Sequence, residues 1–137
     1  ILYYNEIVDE DVQFAVDVFS NHFKKPGRSP IHFVKGTESS TRLEKVKLDK
    51  ILMINTLHHF DREFEMLKSV KKSMDLNSRL FILENPKGSI QDQSSPDRDC
   101  KRALPERDMR MVIKNNELSI LEEYKIFKKL LFWEVGI

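Results

Sequence analysis

Apolar positions along the chain follow two alternating rhythms, short continuous runs and three- or four-residue steps. The runs "ILYYNEI" (1–7), "IHFVKG" (31–36), "KILMIN" (50–55) and "RLFILEN" (79–85) predict strands. "KILMIN" is nearly all apolar, as expected of a strand covered on both faces. Between the runs the step changes. Val12, Ala15, Val16, Phe19 and Phe23 predict a helix that Asp9 caps, with Glu10 and Asp11 in its first turn and Pro26-Gly27 at its end. A second helix is predicted from an Asp61 cap, with Phe64, Leu67, Val70 and Met74 inward and Asn77 as a left-handed stop. Leu104-Pro105 opens a third, lined on one side by Met109, Val112 and Ile113 and ended by Asn115-Asn116. "LSILEEYKIF" (118–127) and "LLFWEVGI" (130–137) read as two closing strands, antiparallel across a tight Lys128-Lys129 turn.

Strands separated by single helices require crossovers, and hence a parallel sheet. The expected architecture is a single α/β domain over residues 1–137. It is a doubly wound, mostly parallel sheet with helices on both faces and a C-terminal antiparallel pair. Ligands in such folds bind beyond the carboxyl ends of the strands. Those ends are Asn5-Glu6, Gly36-Thr37, Asn55 to His59 and Glu84-Asn85.

Composition narrows the classes. Hydrophobic residues make up 40% and charged residues 33%, enough for a core and a water-facing surface. The net charge of +1, with acids and bases mixed, gives no footprint for nucleic acid, and "KKPGR" (24–28) reads as a solvated loop. No apolar run reaches membrane-spanning length. One cysteine, Cys100, excludes an internal disulfide framework and suits a reducing cytoplasm. Residue 1 is Ile and not Met, so an upstream segment is expected.

The order of segments resembles the class I S-adenosylmethionine-dependent methyltransferases. "YYNEI" resembles that family's second-strand motif with its terminal acid, and "FVKGTE" its third-strand segment, usually Gly-Asp-Ala. "LDKILMINTLHHF" is similar to its fourth-strand motif. "SVKKSMDLNSRLFILE" matches the following helix, turn and fifth strand, and "LPERDMRMVIKNNELSILEEYKI" the last helix and sixth strand. The resemblance implies a Rossmann-like methyltransferase fold and S-adenosylmethionine as cofactor; a small-molecule acceptor is expected because the charge balance gives no argument for nucleic acid. It also exposes a departure. The glycine-rich loop after the family's first strand has no counterpart, and the chain has only four glycines: 27, 36, 88 and 136. In the family the first strand lies between the second and fourth. The chain is therefore expected to be the C-terminal portion of a longer domain. The other reading is a non-catalytic methyltransferase-like module that lacks the cofactor loop. An unrelated flavodoxin-like or receiver domain fits the alternation but leaves the terminal antiparallel pair unexplained.

Several residues are candidates for chemistry. A carboxylate at a strand end, Glu6, can accept hydrogen bonds from both ribose hydroxyls, or else cap the Asp9 helix. Ile7 then packs on the adenine face or in the core. By the resemblance, Thr37 stands where an aspartate usually holds the adenine amino group, with Glu38 as its substitute. Asn55 offers an amide to cofactor or substrate, or bonds its own backbone as a turn residue. Thr56 and Leu57 offer backbone contacts. His58 and His59 are adjacent, so their side chains are expected to diverge, and their spacing is poor for a metal; no metal is expected. Either can act as a general base near neutral pH, and His58, nearer the strand end, is the candidate. Cys100 sits in the long polar loop 86–103, a length typical of lids and specificity elements.

Overall fold

The computed structural model describes residues 1–22, 29–85, 104–126 and 130–137. The predicted alternation is present. β1 (Leu2–Glu6) leads to α1 (Asp9–His22), β2 (Ile31–Lys35) and β3 (Lys50–Ile54); a 3-10 turn (Leu57–His59) and α2 (Glu63–Lys72) follow. β4 (Arg79–Glu84), α3 (Glu106–Asn115), β5 (Ser119–Ile126) and β6 (Leu130–Gly136) complete the order. β1 pairs parallel with β2, and β3 parallel with β4; β6 is antiparallel to both β4 and β5. The strands form a two-stranded sheet, β1-β2, and a four-stranded sheet, β3-β4-β6-β5. The Lys128-Lys129 turn, Phe23, the Pro26-Gly27 stop, Cys100 and the loop 86–103 lie outside the described residues.

Alternation within strands builds the core. Met53 of β3, Leu80 and Ile82 of β4, and Leu131, Trp133 and Val135 of β6 point to one face. There they meet Met66, Leu67 and Val70 of α2 and Met109 and Ile113 of α3. Leu67 and Met109 are completely buried, so truncating either to alanine should cost about 2–5 kcal/mol. The other face of β3 is different. Leu52 is 61% exposed and Ile54 52%, so the expectation that this strand is covered on both faces fails among the described residues.

Three local expectations are also corrected. Helix α2 starts at Glu63, which puts Arg62 and not Asp61 at its N-cap position. Its buried face carries Met66, Leu67, Ser69 and Val70, with Met74 buried just beyond its end, whereas Phe64 is 40% exposed. Asn77 is not left-handed: among the described residues the non-glycine positions with positive φ are Arg42, Asn55 and Glu117. The turn before β4 is instead made by Asp75, whose Oδ1 accepts the Asn77 and Ser78 amides at 2.8 and 3.2 Å.

The segment between β2 and β3 clasps the two sheets together. Asn5 Nδ2 donates to Val34 O and Thr41 O, both at 2.9 Å. The Thr41 amide donates to Ser69 Oγ of α2 (2.9 Å), and Ser73 Oγ donates to Leu43 O (2.8 Å). Gly36 lies beneath this clasp: a Cβ there would stand 2.9 Å from Ser40 O and 3.1 Å from the Asn5 side chain.

Candidate functional site

Each parallel pair presents two strand ends side by side. On the β1-β2 sheet the Gly36 amide donates to Glu6 O (2.8 Å), which sets Gly36-Thr37 against Glu6. Glu6 is half-buried; its Oε1 accepts the Ile7 amide at 2.7 Å, and Ile7 is half-buried too. Among the described residues Glu6 Oε2 takes no hydrogen bond, so this edge of the carboxylate remains able to accept hydroxyl donors. Thr37 starts a tight turn: its amide and that of Ser40 exchange bonds with the opposite carbonyls at 2.8 and 3.4 Å, while Glu38 is exposed at the tip.

On the other sheet β3 ends in a kink. Asn55 has φ 50°, in the left-handed region, and its amide still donates to Leu83 O at 2.7 Å. A short polar side chain tolerates that conformation better than a branched one. The kink swings Thr56 and the 3-10 turn away from the strand direction, leaving the Asn55 side chain exposed. Leu57 is then fully buried and His58 is 4% exposed.

What holds this turn is Glu84, the last residue of β4. It is completely buried. Its Oε1 accepts the Leu57 amide at 2.6 Å, and its Oε2 lies 2.7 Å from His58 Nδ1. The tautomer with its proton on Nδ1 donates to this carboxylate and leaves Nε2 as the ring's acceptor. Sequence reading named Glu84 only as a strand end. The signal was present: Leu80, Ile82 and Glu84 share the inward face at two-residue spacing, so the pleat itself buries the acid. Nor do the two histidines diverge. Their ring centroids are 4.1 Å apart at 36°. Among the described residues no cluster of His, Cys, Asp and Glu could hold a metal ion, and no helix is long and apolar enough to cross a membrane.

The structure thus groups Glu6, Ile7, Thr37 and Glu38 at one pair of strand ends and Asn55, Thr56, Leu57 and His58 at the other. The residue types suit the cofactor unequally. A half-buried carboxylate with one edge open fits a ribose diol, and the Thr37–Ser40 turn beside it offers polar groups for a base. For the methionine end the described residues offer no glycine-rich cradle.

No protein-family model matches the sequence, and no curated protein matches it. Solved structures do match. A SAM-dependent methyltransferase from Aquifex aeolicus superposes with a TM-score of 0.79 at 17% identity, over 98% of this chain and 68% of its own. An S-adenosylmethionine-dependent methyltransferase from Clostridium acetobutylicum gives 0.72 at 15%, over 98% and 74%. The mitomycin 7-O-methyltransferase MmcR gives 0.73 at 13%, over 98% and 41%. The chain therefore resembles the class I S-adenosylmethionine-dependent methyltransferases and has their Rossmann-like fold.

Proposed function

We propose that the protein is an S-adenosylmethionine-dependent methyltransferase acting on a small-molecule acceptor. The observation that carries the reading is the pairing of Glu6, with one carboxylate edge open, and the Asn55–His58 turn on a methyltransferase fold. When bound, the cofactor would supply an electrophilic methyl group for in-line transfer to the acceptor's nucleophilic atom. Glu6 holds the ribose hydroxyls. Ile7 packs on the adenine face, and Thr37 and Glu38 meet its edge. Asn55, Thr56 and Leu57 border the reacting end. His58 takes the acceptor's proton on Nε2 as the new bond forms, with Glu84 holding the opposite ring nitrogen. Most of the rate comes from positioning and exclusion of water, as methyl transfer needs few charged partners.

A second reading has an observation of its own. His58 is 4% exposed and tied to Glu84, as a purely structural histidine would be. In that reading the protein is a methyltransferase-like binding module without turnover. The test is transfer from methyl-labelled S-adenosylmethionine to a panel of small phenols, amines and carboxylates, run on wild type and His58→Ala. A fall of about 10²–10⁴ in turnover with unchanged cofactor affinity supports the base. Cofactor binding with no transfer to any acceptor supports the second reading.

A further inference from the structure

Strand β5 closes one side of the four-stranded sheet: the order is β3-β4-β6-β5, and no described strand pairs with its outer edge. It runs for 8 residues without proline or glycine, so its free backbone groups are a template for another strand. A bulge at Leu121 breaks the ladder between Ile120 and Glu122, which confines regular geometry to residues 122–126. The two faces of this stretch differ. Glu123 and Lys125, opposite Trp133 and Leu131, stand on the α3 side. Arg110 of α3 donates to Glu123 Oε2 at 2.6 Å, and Oε1 takes no hydrogen bond among the described residues. Lys125 is exposed and makes no ion pair among them. Glu122, Tyr124 and Ile126 stand on the other face, where Tyr124 is 53% exposed and Ile126 38%.

We propose that this edge is a homodimer interface, in which β5 of one protomer pairs antiparallel with β5 of a second copy about a dyad at Tyr124. Residues directly opposite in a sheet share a face, so a symmetric pair must be centred on a residue and not between two. Charge selects which residue. Centring on Glu122 or Glu123 sets carboxylate against carboxylate, and centring on Lys125 sets ammonium against ammonium; like charges directly opposite destabilise a ladder. Centring on Tyr124 places Glu123 opposite the partner's Lys125, and symmetry repeats the contact, so each open Oε1 meets an unpaired ammonium. On the other face the two Tyr124 rings meet, with Ile126 of each copy at the diagonal. Tyr124 is also the midpoint of 122–126, so this register uses the whole regular stretch. Glu122, which then faces the partner's Ile126, accepts the Tyr124 hydroxyl of its own strand. The contact is short, so the association is weak and concentration-dependent. It stands apart from the methyltransferase reading, since the paired edge needs no cofactor.

The test is sedimentation of the natural polypeptide over a concentration series, for wild type and two charge reversals whose folding is checked by circular dichroism. Wild type should pass from monomer to dimer between about micromolar and millimolar concentration. Lys125→Glu and Glu123→Lys each set like charges opposite one another, so each should associate about tenfold or more weakly. An equimolar mixture of the two variants should restore the dimer, because every opposed pair is then complementary. Should Glu123→Lys fail to fold for want of its Arg110 bond, Cys100→Ser/Tyr124→Cys reads the register instead. Its opposed Cα atoms would lie about 4.5–5.5 Å apart, so mild oxidation should join two chains through residue 124. Three results overturn the proposal. One is a wild type that stays monomeric at about millimolar concentration. Another is a dimer that neither reversal weakens, or that the mixture fails to restore, which assigns the contact to another surface. The third is a Tyr124→Cys dimer that oxidation leaves unlinked.

Discussion

Replacing Glu84 with alanine removes the acceptor of two donors that lie out of reach of water. Leu57, whose amide gives to Oε1 at 2.6 Å, is completely buried, and the His58 side chain is 3% exposed. A buried donor left without a partner costs about 1–3 kcal/mol, and two are left here, so Glu84→Ala should cost about 2–6 kcal/mol. An exposed pair serves as control: Arg62–Glu65 has side chains 58% and 42% exposed, so Glu65→Ala should change stability by about 0.5 kcal/mol or less. The assay is equilibrium urea unfolding followed by far-ultraviolet circular dichroism. With a slope of about 1–3 kcal/mol/M, the Glu84 variant should unfold at roughly 2 M lower urea. The double variant Glu84→Leu/His58→Phe should recover part of the loss, because an apolar pair leaves no imidazole to desolvate. A Glu84→Ala loss below about 1 kcal/mol, or strict additivity in the double variant, would refute the reasoning.

The remaining predictions address other parts of the site and its supports. Gly36→Ala should cost about 1–3 kcal/mol in the same unfolding assay, since the new Cβ meets the Ser40 carbonyl at 2.9 Å; an unchanged midpoint would mean the clasp can move aside. Asn55→Val should cost about 1–2 kcal/mol through its φ of 50°, while Asn55→Gly should be close to neutral; equal effects would show that the side chain matters and the backbone does not. Glu6→Ala should weaken S-adenosylmethionine binding by about 1–3 kcal/mol, and equal calorimetric affinities would remove Glu6 from the ribose site. Hydrogen bonds from the Ser40 and Ser69 hydroxyls hold the Glu44 carboxyl below its ordinary range. A depressed carboxyl stabilises the fold above its unfolded value of 4.5, and that contribution is lost as pH falls through the lower folded value. Glu44→Gln should therefore flatten the acid limb of the stability profile, and an unchanged limb would assign the loss to other groups.

Periodicity carried most of the fold. Strand runs and helical steps located β1 to β4, α3 and the start of α1 to within a residue or two, because burial on one face is written into residue spacing. Capping chemistry was less legible. Asp61 and Asp75 are both acids flanking α2, and only the folded backbone shows that the second makes a turn while Arg62 and not the first takes the N-cap position. The exposed Leu52 and Ile54 misled in another way: an apolar run declares that both faces want cover, and says nothing about which segment supplies it. At the site, strand ends were readable, but the pairing of Glu84 with the Leu57 amide and His58 spans some 26 residues of sequence. Nothing in local spacing encodes that distance. The clasp from Asn5 to Thr41 was hidden for the same reason.

The proposed cofactor site spans the strand ends around Glu6 and Asn55. Titration of the isotope-labelled natural polypeptide with S-adenosylhomocysteine, followed by backbone amide shifts, tests it most directly. Saturable movement of the Glu6, Ile7, Thr37 and Asn55 to His58 amides at a common micromolar constant, on the order of −8 kcal/mol, is the result the account predicts. Saturation that leaves these amides still and moves others, or no binding at millimolar ligand, would contradict it.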